Sequence, residues 1–544
     1  MIIGMLAVNP IAEEVPVRAD SGGTWRDESW RNAAFPVVDV FAGPGGLGEG
    51  FALSSDENGK PCFNSVVSIE RDIFSHQTLL LRHFVRQFPE GEAPDDYYTF
   101  LKGGMTREEL YRLHPQAHAH AAASALCISL GPESHTEVKK IIRDRIGESR
   151  RWALVGGPPC QAYSLVGRSR MMGRTDFAQD ERHTLYLEYL RIIVDHRPPV
   201  FVMENVKGLL SATIDGKSAI TRIVRDLSHP GTAIPGTPDD LSYKLYSLTE
   251  QDMAEEDVDP RLFVVRAEEY GIPQARHRMF IVGIRGDLKV RPGSLKKMIA
   301  PTVQETIGSL PSIRSGLSKA KDSPNAWLSE LRAISNMNVR RQLNGAAYAG
   351  DIAKALDFDN LIEVSSPRAI SSSQYDMRKP AHDVLRSLYD SRLSVLTAHE
   401  ARSHMASDLR RYLYAATFAE KTGRSPKLAD FPTVLLPDHK NVEEGRMGKM
   451  FSDRFRVQVA GQVSTTITSH ISKDGHYFIH YDPAQCRSLT VREAARLQTF
   501  PDNYFFAGPR TEQYHQVGNA VPPQLAKQIA DIVVEVLRAV PDDK

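Results

Sequence analysis

A single cysteine lies at the end of a predicted strand, where a rigid turn would hold its thiol in place. The apolar run 152–155 predicts a buried strand, and residues 156–159, Gly-Gly-Pro-Pro, lead from it to Cys160. A thiolate is a strong nucleophile, but it is useful only when it is positioned and electrostatically activated. Cys160 is therefore the first candidate for a nucleophilic residue. Taken alone, the pattern also fits a strand-to-loop turn with an incidental cysteine.

A glycine-rich loop follows the first predicted strand and suits a nucleotide-like ligand. Segment 39–48 reads Asp-Val-Phe-Ala-Gly-Pro-Gly-Gly-Leu-Gly, and its glycines allow a ligand to approach the backbone closely. Phe41 offers a flat face to an adenine ring, and Glu70, at the end of the next apolar run, can accept both hydroxyls of a ribose. The same features also suit a dinucleotide oxidoreductase, although Pro44 interrupts the Gly-x-Gly-x-x-Gly spacing of that class.

Two further segments place charged residues where strands begin or end. Glu204 closes the apolar run 199–204, where it suits proton donation or hydrogen bonding to a substrate nitrogen. Arg276 and Arg278 alternate as they enter the predicted strand 279–283, so they point to one face and suit an anion or the polar edge of a base. Each segment alone also fits a solvated turn or strand edge.

Apolar strands alternate with helical patterns, two of which begin with capping boxes at 134–137 and 490–493. Such alternation predicts an α/β fold with a doubly wound, mostly parallel sheet, which binds ligands beyond the C-terminal ends of its strands. The pattern loosens in the middle of the chain and returns near the C-terminus. The predicted parts are an N-terminal extension 1–34, a first domain 35–285, a smaller irregular domain 286–463, and a C-terminal segment 464–544 that completes the first domain.

The composition of the chain excludes several classes of protein. The 67 basic and 67 acidic residues balance, so a polyanion would bind in a local cleft rather than over the whole surface. The 4 cysteines form no Cys-x-x-Cys pair, which argues against a disulfide framework or a zinc ribbon. No apolar run approaches the length that spans a bilayer, so we expect a cytoplasmic protein with no membrane partner.

Six motifs stand in the order found in one enzyme family. They read Phe-Ala-Gly-Pro-Gly-Gly, Gly-Pro-Pro-Cys-Gln, Glu-Asn-Val, Gln-x-Arg-x-Arg, Arg-x-Leu-Thr-x-Arg-Glu-Ala-Ala-Arg-Leu-Gln-x-Phe-Pro and Gln-Val-Gly-Asn-Ala-Val-Pro-Pro. In these motifs the chain resembles the bacterial cytosine-5 DNA methyltransferases, over residues 37–285 and 465–539. The resemblance implies a Rossmann-like fold and methyl transfer from S-adenosylmethionine to a cytosine flipped out of double-stranded DNA.

The resemblance also implies roles for residues of this chain. Cys160 would add to carbon 6 of the cytosine, and Glu204 would hydrogen-bond its N3 and exocyclic amine. Arg278 would contact the base oxygen, while Arg276 would support Cys160. The residues that would hold the cofactor are Phe41, Gly43, Gly45, Leu47, Glu70, Pro159 and Asn519. The resemblance makes 35–285 the catalytic domain and 286–463 a target-recognition domain. The residues that would contact DNA are Gln161, Ser164 and Arg168 of the catalytic loop, and Arg446, Arg454 and Arg456 of the target-recognition domain.

Two alternatives stay open beside this interpretation. An RNA cytosine-5 methyltransferase has the same fold, and a catalytically silent homologue would bind DNA without modifying it. The basic pairs 340–341 and 410–411 and the basic run 446–456 favour duplex DNA, and the intact Cys160, Glu204 and Arg278 favour an active enzyme. We expect a monomer on DNA, associated with the nucleoid. A separately encoded restriction endonuclease is a candidate partner.

Two segments depart from the pattern of the family. An acidic residue usually follows the third strand and meets the cofactor adenine, but segment 97–103, Tyr-Tyr-Thr-Phe-Leu-Lys-Gly, stands there instead, and the contact is left unassigned. Segment 105–149 is longer than is typical. His470, His476 and His480 lack the cysteine or carboxylate neighbours of a metal site, so we interpret them as polar residues of a hairpin and predict no metal.

Overall fold

Strands and helices alternate along the first half of the chain. The computed structural model describes residues 34–159, 181–214, 217–234, 236–238, 240–250, 259–343, 347–356, 382–438, 442–448 and 452–541. Its strands are β1 Phe35–Val40, β2 Phe63–Glu70, β3 Ala125–Cys127, β4 Ala153–Gly156, β5 Val200–Val206, β6 Thr213–Ile214, β7 Lys217–Ser218, β8 Tyr243–Tyr246, β9 Val264–Arg266, β10 Gln274–Ala275, β11 His277–Arg285, β12 Gly316–Leu317, β13 Ser403–His404 and β14 Ser464–Thr465.

The helices of the described residues fall into three groups. Those that precede or flank the first strands are α1 Gly46–Ala52, α2 Ile73–Val85, α3 Asp95–Leu101, α4 Arg107–Leu113, α5 Pro115–Ser124, α6 His135–Ile146, α7 Glu181–His196, α8 Ala219–Ser228 and α9 Pro230–Ala233. Those of the middle region are α10 Val303–Ile307, α11 Pro324–Arg332, α12 Val339–Gln342, α13 Ala349–Ala355, α14 Asp383–Arg386, α15 Ala406–Thr422 and α16 Val442–Arg446. The last three are α17 Val491–Leu497, α18 Arg510–Asn519 and α19 Pro523–Arg538.

One large sheet forms the frame of the molecule. Its strand order is β3-β2-β1-β4-β5-β11-β8, and β9 also pairs with β11. Strands β1 to β5 run parallel to one another, whereas β11 runs antiparallel to β5, β8 and β9. The predicted doubly wound, mostly parallel sheet is thus confirmed. Its C-terminal strand ends face one edge, where such sheets bind their ligands.

Alternate residues of the central strands pack on opposite faces of the sheet, as the period of a strand requires. Leu154 and Met203 belong to a core that includes residues of α6, α7 and α8, whereas Val155 and Val202 belong to a core that includes residues of α19. Helix α19 also packs on α1, where a Cβ at Gly50 would lie only 2.3 Å from Cβ of Ala526. The last helix therefore covers the face of the sheet beside the glycine-rich loop.

Helices α3 to α5 form an extension between β2 and β3. Tyr98 and Phe84 belong to its core, and so do Leu393 and Val395, which lie far away in the sequence. Asp390 connects this extension to the C-terminal part of the chain. It accepts one hydrogen bond from the Tyr98 hydroxyl at 2.7 Å and another from Asn503 Nδ2 at 2.7 Å. Residues around 390 therefore pack on the catalytic part of the molecule, although they fall within the predicted range 286–463.

A separate apolar cluster lies in the middle of the chain. It includes Trp327 of α11 and Tyr412 and Phe418 of α15, all fully buried, together with Phe455 and Ile479. The described parts of the region 286–463 thus contain a core of their own as well as segments that join the catalytic cores. The division into domains at residues 286 and 463 stays a prediction.

Candidate active site

A cavity of about 490 Å³ opens at the C-terminal ends of β1, β2, β4 and β5. The prediction from the sequence placed seven cofactor-binding residues here, and the cavity is lined by six of them, namely Phe41, Gly43, Leu47, Glu70, Pro159 and Asn519. The seventh, Gly45, lies in the same loop and is the N-cap of α1. The structure therefore brings together residues that are almost 480 positions apart in the chain.

The loop after β1 adopts a backbone conformation that few residues tolerate. Phe41 has φ +59°, Gly43 has φ +57° and Gly45 has φ +95°. A positive φ is uncommon for a residue with a bulky side chain, and such strain is concentrated at functional sites. At Gly45 a Cβ would also lie 2.8 Å from Cδ1 of Leu79 and 3.1 Å from the hydroxyl of Tyr504. Position 45 therefore requires a glycine, because the backbone has a positive φ and because a Cβ would lie too close to these two side chains.

Glu70 connects the end of β2 to this loop. Its Oε2 accepts a hydrogen bond from the Gly43 N–H at 2.8 Å, and its Oε1 accepts one from the Asp72 N–H at 2.7 Å. Each carboxylate oxygen can accept a second hydrogen bond, so the hydroxyls of a ribose can still bind. The strained loop and this pre-oriented carboxylate fit an adenosyl cofactor.

The third strand lies elsewhere than the sequence analysis assumed. Residues 97–103, which were predicted to follow the third strand, belong mostly to helix α3, and β3 is Ala125–Cys127. Ile128 and Leu130 follow this strand and line the cavity. Because β3 is only three residues long, its hydrophobic pattern gave no signal. The long segment before it contains α3 to α5, and α6 begins after Ser134, which forms no side-chain cap despite its capping-box sequence.

Glu204 lines the cavity from β5 and forms an ion pair with Arg278. Glu204 on β5 is paired with Phe280 of β11, two residues along from Arg278, so the two charged side chains are diagonal neighbours on one face. Arg278 Nε lies 3.1 Å from Glu204 Oε1. Burial raises the pKa of Glu204, although Arg278 and Arg276 oppose the shift. The other carboxylate oxygen, Oε2, would lie 2.9 Å from a Cβ at Gly157, which places it against the turn that leads to Cys160.

Asn205 fixes that turn from the neighbouring strand. Its Nδ2 donates a hydrogen bond to the Pro158 carbonyl at 3.1 Å. Cys160 itself lies outside the described residues, as do Gln161, Ser164 and Arg168, so their predicted roles stay predictions. Pro159, the last described residue before Cys160, lines the cavity next to Glu204 and Asn205.

Arg276 is buried, and its hydrogen bonds connect the segment between β10 and β11 to the segments that contain Ile467 and Gly518. Its Nη1 donates hydrogen bonds to the Ile467 carbonyl at 2.8 Å and to the Gly518 carbonyl at 3.2 Å. Gln274 acts similarly, because its Oε1 accepts from the Ile467 N–H at 2.7 Å and its Nε2 donates to the Leu497 carbonyl at 3.1 Å. Both residues hold the C-terminal motifs beside the sheet. The predicted contact of Arg276 with Cys160 falls outside the described residues.

Three carboxylate-bearing residues on the cavity wall were absent from the sequence prediction. Asp39 is buried beneath α1, and burial raises its pKa to about 7 against the opposing effect of Arg86. Asp72 caps α2, and Glu512 lies on α18. Glu512 precedes Asn519 by seven positions and Gln516 by four, so the helical period placed it on the same face as the recognised motif. This helical spacing is the feature of the sequence from which Glu512 could have been predicted to line the cavity.

The predicted DNA-binding arginines of the middle region have varied surroundings. Arg446 ends α16, and Arg454 is half-buried. Arg456 forms an ion pair with Asp453 and lies over the ring of Tyr477, 5.6 Å from its centroid. Burial lowers the pKa of Arg456, so this side chain is engaged within the protein.

The three histidines that suggested a hairpin lie in a different local structure. Residues 469–472 and 475–477 form 3₁₀ turns, so the hairpin prediction is wrong for His470 and His476, whereas residues 478–480 pair antiparallel with residues 487–489. His476 Nδ1 is 2.8 Å from the Tyr412 hydroxyl, and His480 is buried beside Glu493. Among the described residues no group of three histidine, cysteine or acidic side chains could hold a metal ion. In the same part of the chain no helix is both long enough and apolar enough to cross a membrane.

Comparison with known proteins agrees with this geometry. The family model for C-5 cytosine-specific DNA methylases matches residues 126–233 and 246–535. The Type II methyltransferase M.Bpa9945I of Bacillus paralicheniformis is 31% identical to this chain, over 92% of this chain and 99% of that protein. M.DdeI of Desulfomicrobium norvegicum, also a Type II methyltransferase, is 26% identical over 91% of this chain and 87% of that protein.

Among solved structures, an E. coli prophage protein assigned as a DNA modification methyltransferase covers 93% of this chain and 100% of its own, at 18% identity and a TM-score of 0.48. The family model and the relative from B. paralicheniformis are decisive, because each spans most of the chain. The chain belongs to the C-5 cytosine-specific DNA methyltransferases, which transfer a methyl group from S-adenosylmethionine to carbon 5 of cytosine in DNA.

Proposed function

We propose that this chain methylates its cytosine through a covalent bond from Cys160, with Glu204 and Arg278 binding the base. The observation that carries the proposal is the Glu204–Arg278 pair, which lies at 3.1 Å beside the turn that leads to Cys160. A buried carboxyl next to a guanidinium can offer a hydrogen-bond donor and acceptors to the polar edge of a base. The target carbon is inaccessible within a duplex, so the base must be flipped out to reach this pair.

Glu204 is suited to move a proton at N3 of the base. Because burial raises its pKa, its protonated form is more populated near neutral pH than that of an exposed glutamic acid. When the Cys160 thiolate bonds to carbon 6, the electron pair of the ring double bond moves to carbon 5, and protonation at N3 stabilises the charge. Bound S-adenosylmethionine supplies an electrophilic methyl group. Loss of the carbon 5 proton then releases the Cys160 thiolate.

The cofactor is held by residues that line the cavity. Glu70 accepts the ribose hydroxyls, Phe41 contacts the adenine, and Asn519 lies at the amino-acid end. The backbone around Gly43 and Gly45, together with Leu47 and Pro159, completes the site. Replacing Glu70 by alanine removes two hydrogen-bond acceptors and should weaken cofactor binding by roughly 1–3 kcal/mol, which calorimetry can measure.

The region 286–463 reads the DNA sequence in this proposal. Its own apolar cluster supports the segments that carry Arg446, at the end of α16, and Arg454, while Arg168 and its neighbours in the catalytic loop contact the strand around the flipped base. The relatives named above are Type II methyltransferases, a class that protects DNA from a restriction endonuclease. We extend this context to the present chain, as a monomer that acts on DNA in the nucleoid and whose cognate endonuclease is encoded separately.

A trapped adduct tests the nucleophile directly. A duplex that contains 5-fluorocytosine at the methylation site, first located by bisulfite sequencing, is mixed with protein and S-adenosylmethionine. Fluorine cannot leave as a cation, so the covalent complex should persist and run slowly on a denaturing gel. Cys160→Ala should form no adduct, whereas the matched control Cys127→Ala, which removes an exposed thiol, should form it normally. An adduct in Cys160→Ala would refute the assignment.

A further inference from the structure

The two ends of the cofactor cavity differ in chemical character. Glu204 and Asn205 line one end, and Ile128 and Leu130, which follow β3, line the other. The methyl group must reach the base held at Glu204, and Glu70 receives the ribose in the proposed function, on which this inference rests. The purine ring therefore extends past Glu70 towards Ile128 and Leu130. An apolar wall packs against the ring but cannot distinguish an amino group from a carbonyl oxygen at its edge.

Five carboxylates line the described part of the cavity, and they differ in exposure and in hydrogen bonding. Asp39 forms no hydrogen bond through either oxygen with the residues that the structure describes, but it is buried beneath α1 and only 1% exposed, and Glu204 is paired with Arg278. Glu70 accepts hydrogen bonds from two backbone N–H groups, and Asp72 accepts one from the backbone as the cap of α2. The fifth, Glu512, uses one oxygen, Oε2, in a contact with a histidine. Its Oε1 has no hydrogen-bond partner among the described residues.

Glu512 lies at the purine end of the cavity because of how α18 packs. Gln516, one turn further along α18, accepts a hydrogen bond from the Thr78 hydroxyl of α2 at 2.6 Å. Just before α18, a Cβ at Gly508 would lie 2.6 Å from Cδ1 of Phe74, also in α2. The start of α18 therefore lies over the first turns of α2, which directly follow the strand that ends at Glu70. Asn519 is at the opposite end of α18, about 10 Å away at 1.5 Å per residue.

His515 holds the Glu512 carboxylate in place. Its Nδ1 lies 3.2 Å from Glu512 Oε2, and its Nε2 lies 2.7 Å from the Ser472 hydroxyl. Glu512 and His515 both line the cavity. We propose that Glu512 accepts a hydrogen bond from the exocyclic amine of the cofactor adenine, and that His515 acts as the residue that positions it. Glu512 thereby makes the site specific for a 6-aminopurine, although it comes from a helix far from β3.

Two product analogues that differ only at the purine edge test this proposal without DNA. S-adenosylhomocysteine carries an amine at position 6, whereas S-inosylhomocysteine carries a carbonyl oxygen that a carboxylate repels. Calorimetry on the full chain should show that the adenosyl compound binds at least about tenfold more tightly. In Glu512→Gln this ratio should fall towards one, because the amide can also donate to the carbonyl oxygen. His515→Gln should reduce the ratio in the same direction.

The readout is the ratio of the two affinities, so general damage to the site does not imitate it. Glu535→Gln is the matched control, since Glu535 is an exposed carboxylate on α19 whose partner is Arg538 at 2.8 Å, and it should leave the ratio unchanged. A Glu512→Gln ratio equal to that of the original protein would overturn the proposal, whether both affinities fall together or neither changes. The ratio of the two affinities does not depend on the covalent adduct proposed above, because neither a DNA base nor Cys160 takes part in the binding of these analogues.

Discussion

The arginines of the C-terminal motif and those of the middle region are used differently. Arg487 and Arg496 are almost fully buried and form paired hydrogen bonds with Glu493 and Asp502, at 2.6–2.9 Å. In the middle region, Arg424 forms an ion pair with Asp430 at 2.8 Å, but 49% of its side chain is exposed. A buried charge needs its partner, whereas an exposed pair can be replaced. The choice of residues in the C-terminal motif is therefore restricted by the packing of its buried ion pairs as much as by the chemistry of the site.

The largest effect should come from breaking one buried pair. Arg487→Met leaves the Glu493 carboxylate buried without its cation and should lower the free energy of unfolding by about 3–5 kcal/mol. Arg424→Met, the matched change in the middle region, should cost no more than about 1 kcal/mol. Urea unfolding of both variants measures the difference. Equal losses would mean that burial of the pair does not decide its importance.

Some parts of the site and of the fold could be predicted from the sequence, and others could not. The glycine loop, Glu70 and Glu204 could be singled out because glycines at strained turns and long apolar strands leave clear patterns, and the structure brings these residues to one cavity. The three-residue strand β3 has too few residues to show a period, so segment 97–103 was taken for the region that follows it.

Long-range packing was the second gap in the prediction. Tyr98 and Asp390 are in contact, although nothing in either local pattern relates the α3 segment to residues of the middle region. Glu512 belongs to the same kind of case, because its position over α2 depends on the tertiary packing of α18. The sequence around such residues does not indicate their tertiary contacts, apart from the helical period.

The second prediction tests whether the middle cluster is a separate unit. Trp327 is fully buried, and its Nε1 donates a hydrogen bond to the Ser315 hydroxyl at 2.8 Å. Trp327→Ala should cost about 3 kcal/mol and abolish DNA binding, while cofactor binding stays within about twofold. Phe51→Ala, at a fully buried position on α1, is the matched change in the catalytic core and should weaken cofactor binding. Loss of cofactor binding in Trp327→Ala would argue against a separate recognition domain.

The third prediction concerns acid sensitivity where the two regions meet. Burial lowers the pKa of His480 to about 4, despite the nearby carboxylates of Glu493 and Asp482, with Arg487 and His399 also facing it. An unfolded chain has a histidine pKa of about 6.5, so as pH falls the unfolded state takes up the proton first. Stability from His480 is therefore lost between about pH 6.5 and pH 4.

Between pH 7 and pH 5 this loss should amount to roughly 2 kcal/mol, at about 1.4 kcal/mol per pKa unit. Unfolding by urea at the two pH values, compared between the original chain and His480→Gln, isolates the contribution. The variant should lose less stability on acidification than the original chain. An identical loss in both proteins would show that this histidine titrates normally in the folded state.

The smallest effect is expected at the DNA-contacting surface of the middle region. Arg454 is half-buried, and we expect its guanidinium to meet one phosphate, a contact that releases about one counterion. Arg454→Ala should weaken binding to a duplex about threefold at moderate salt and reduce the slope of log affinity against log salt by about 1, whatever the sequence of the duplex. Arg538→Ala, at an exposed cation on α19 far along the chain, should change neither quantity. A loss confined to the methylation site would instead mean that Arg454 reads a base edge, since phosphate contacts carry no sequence information.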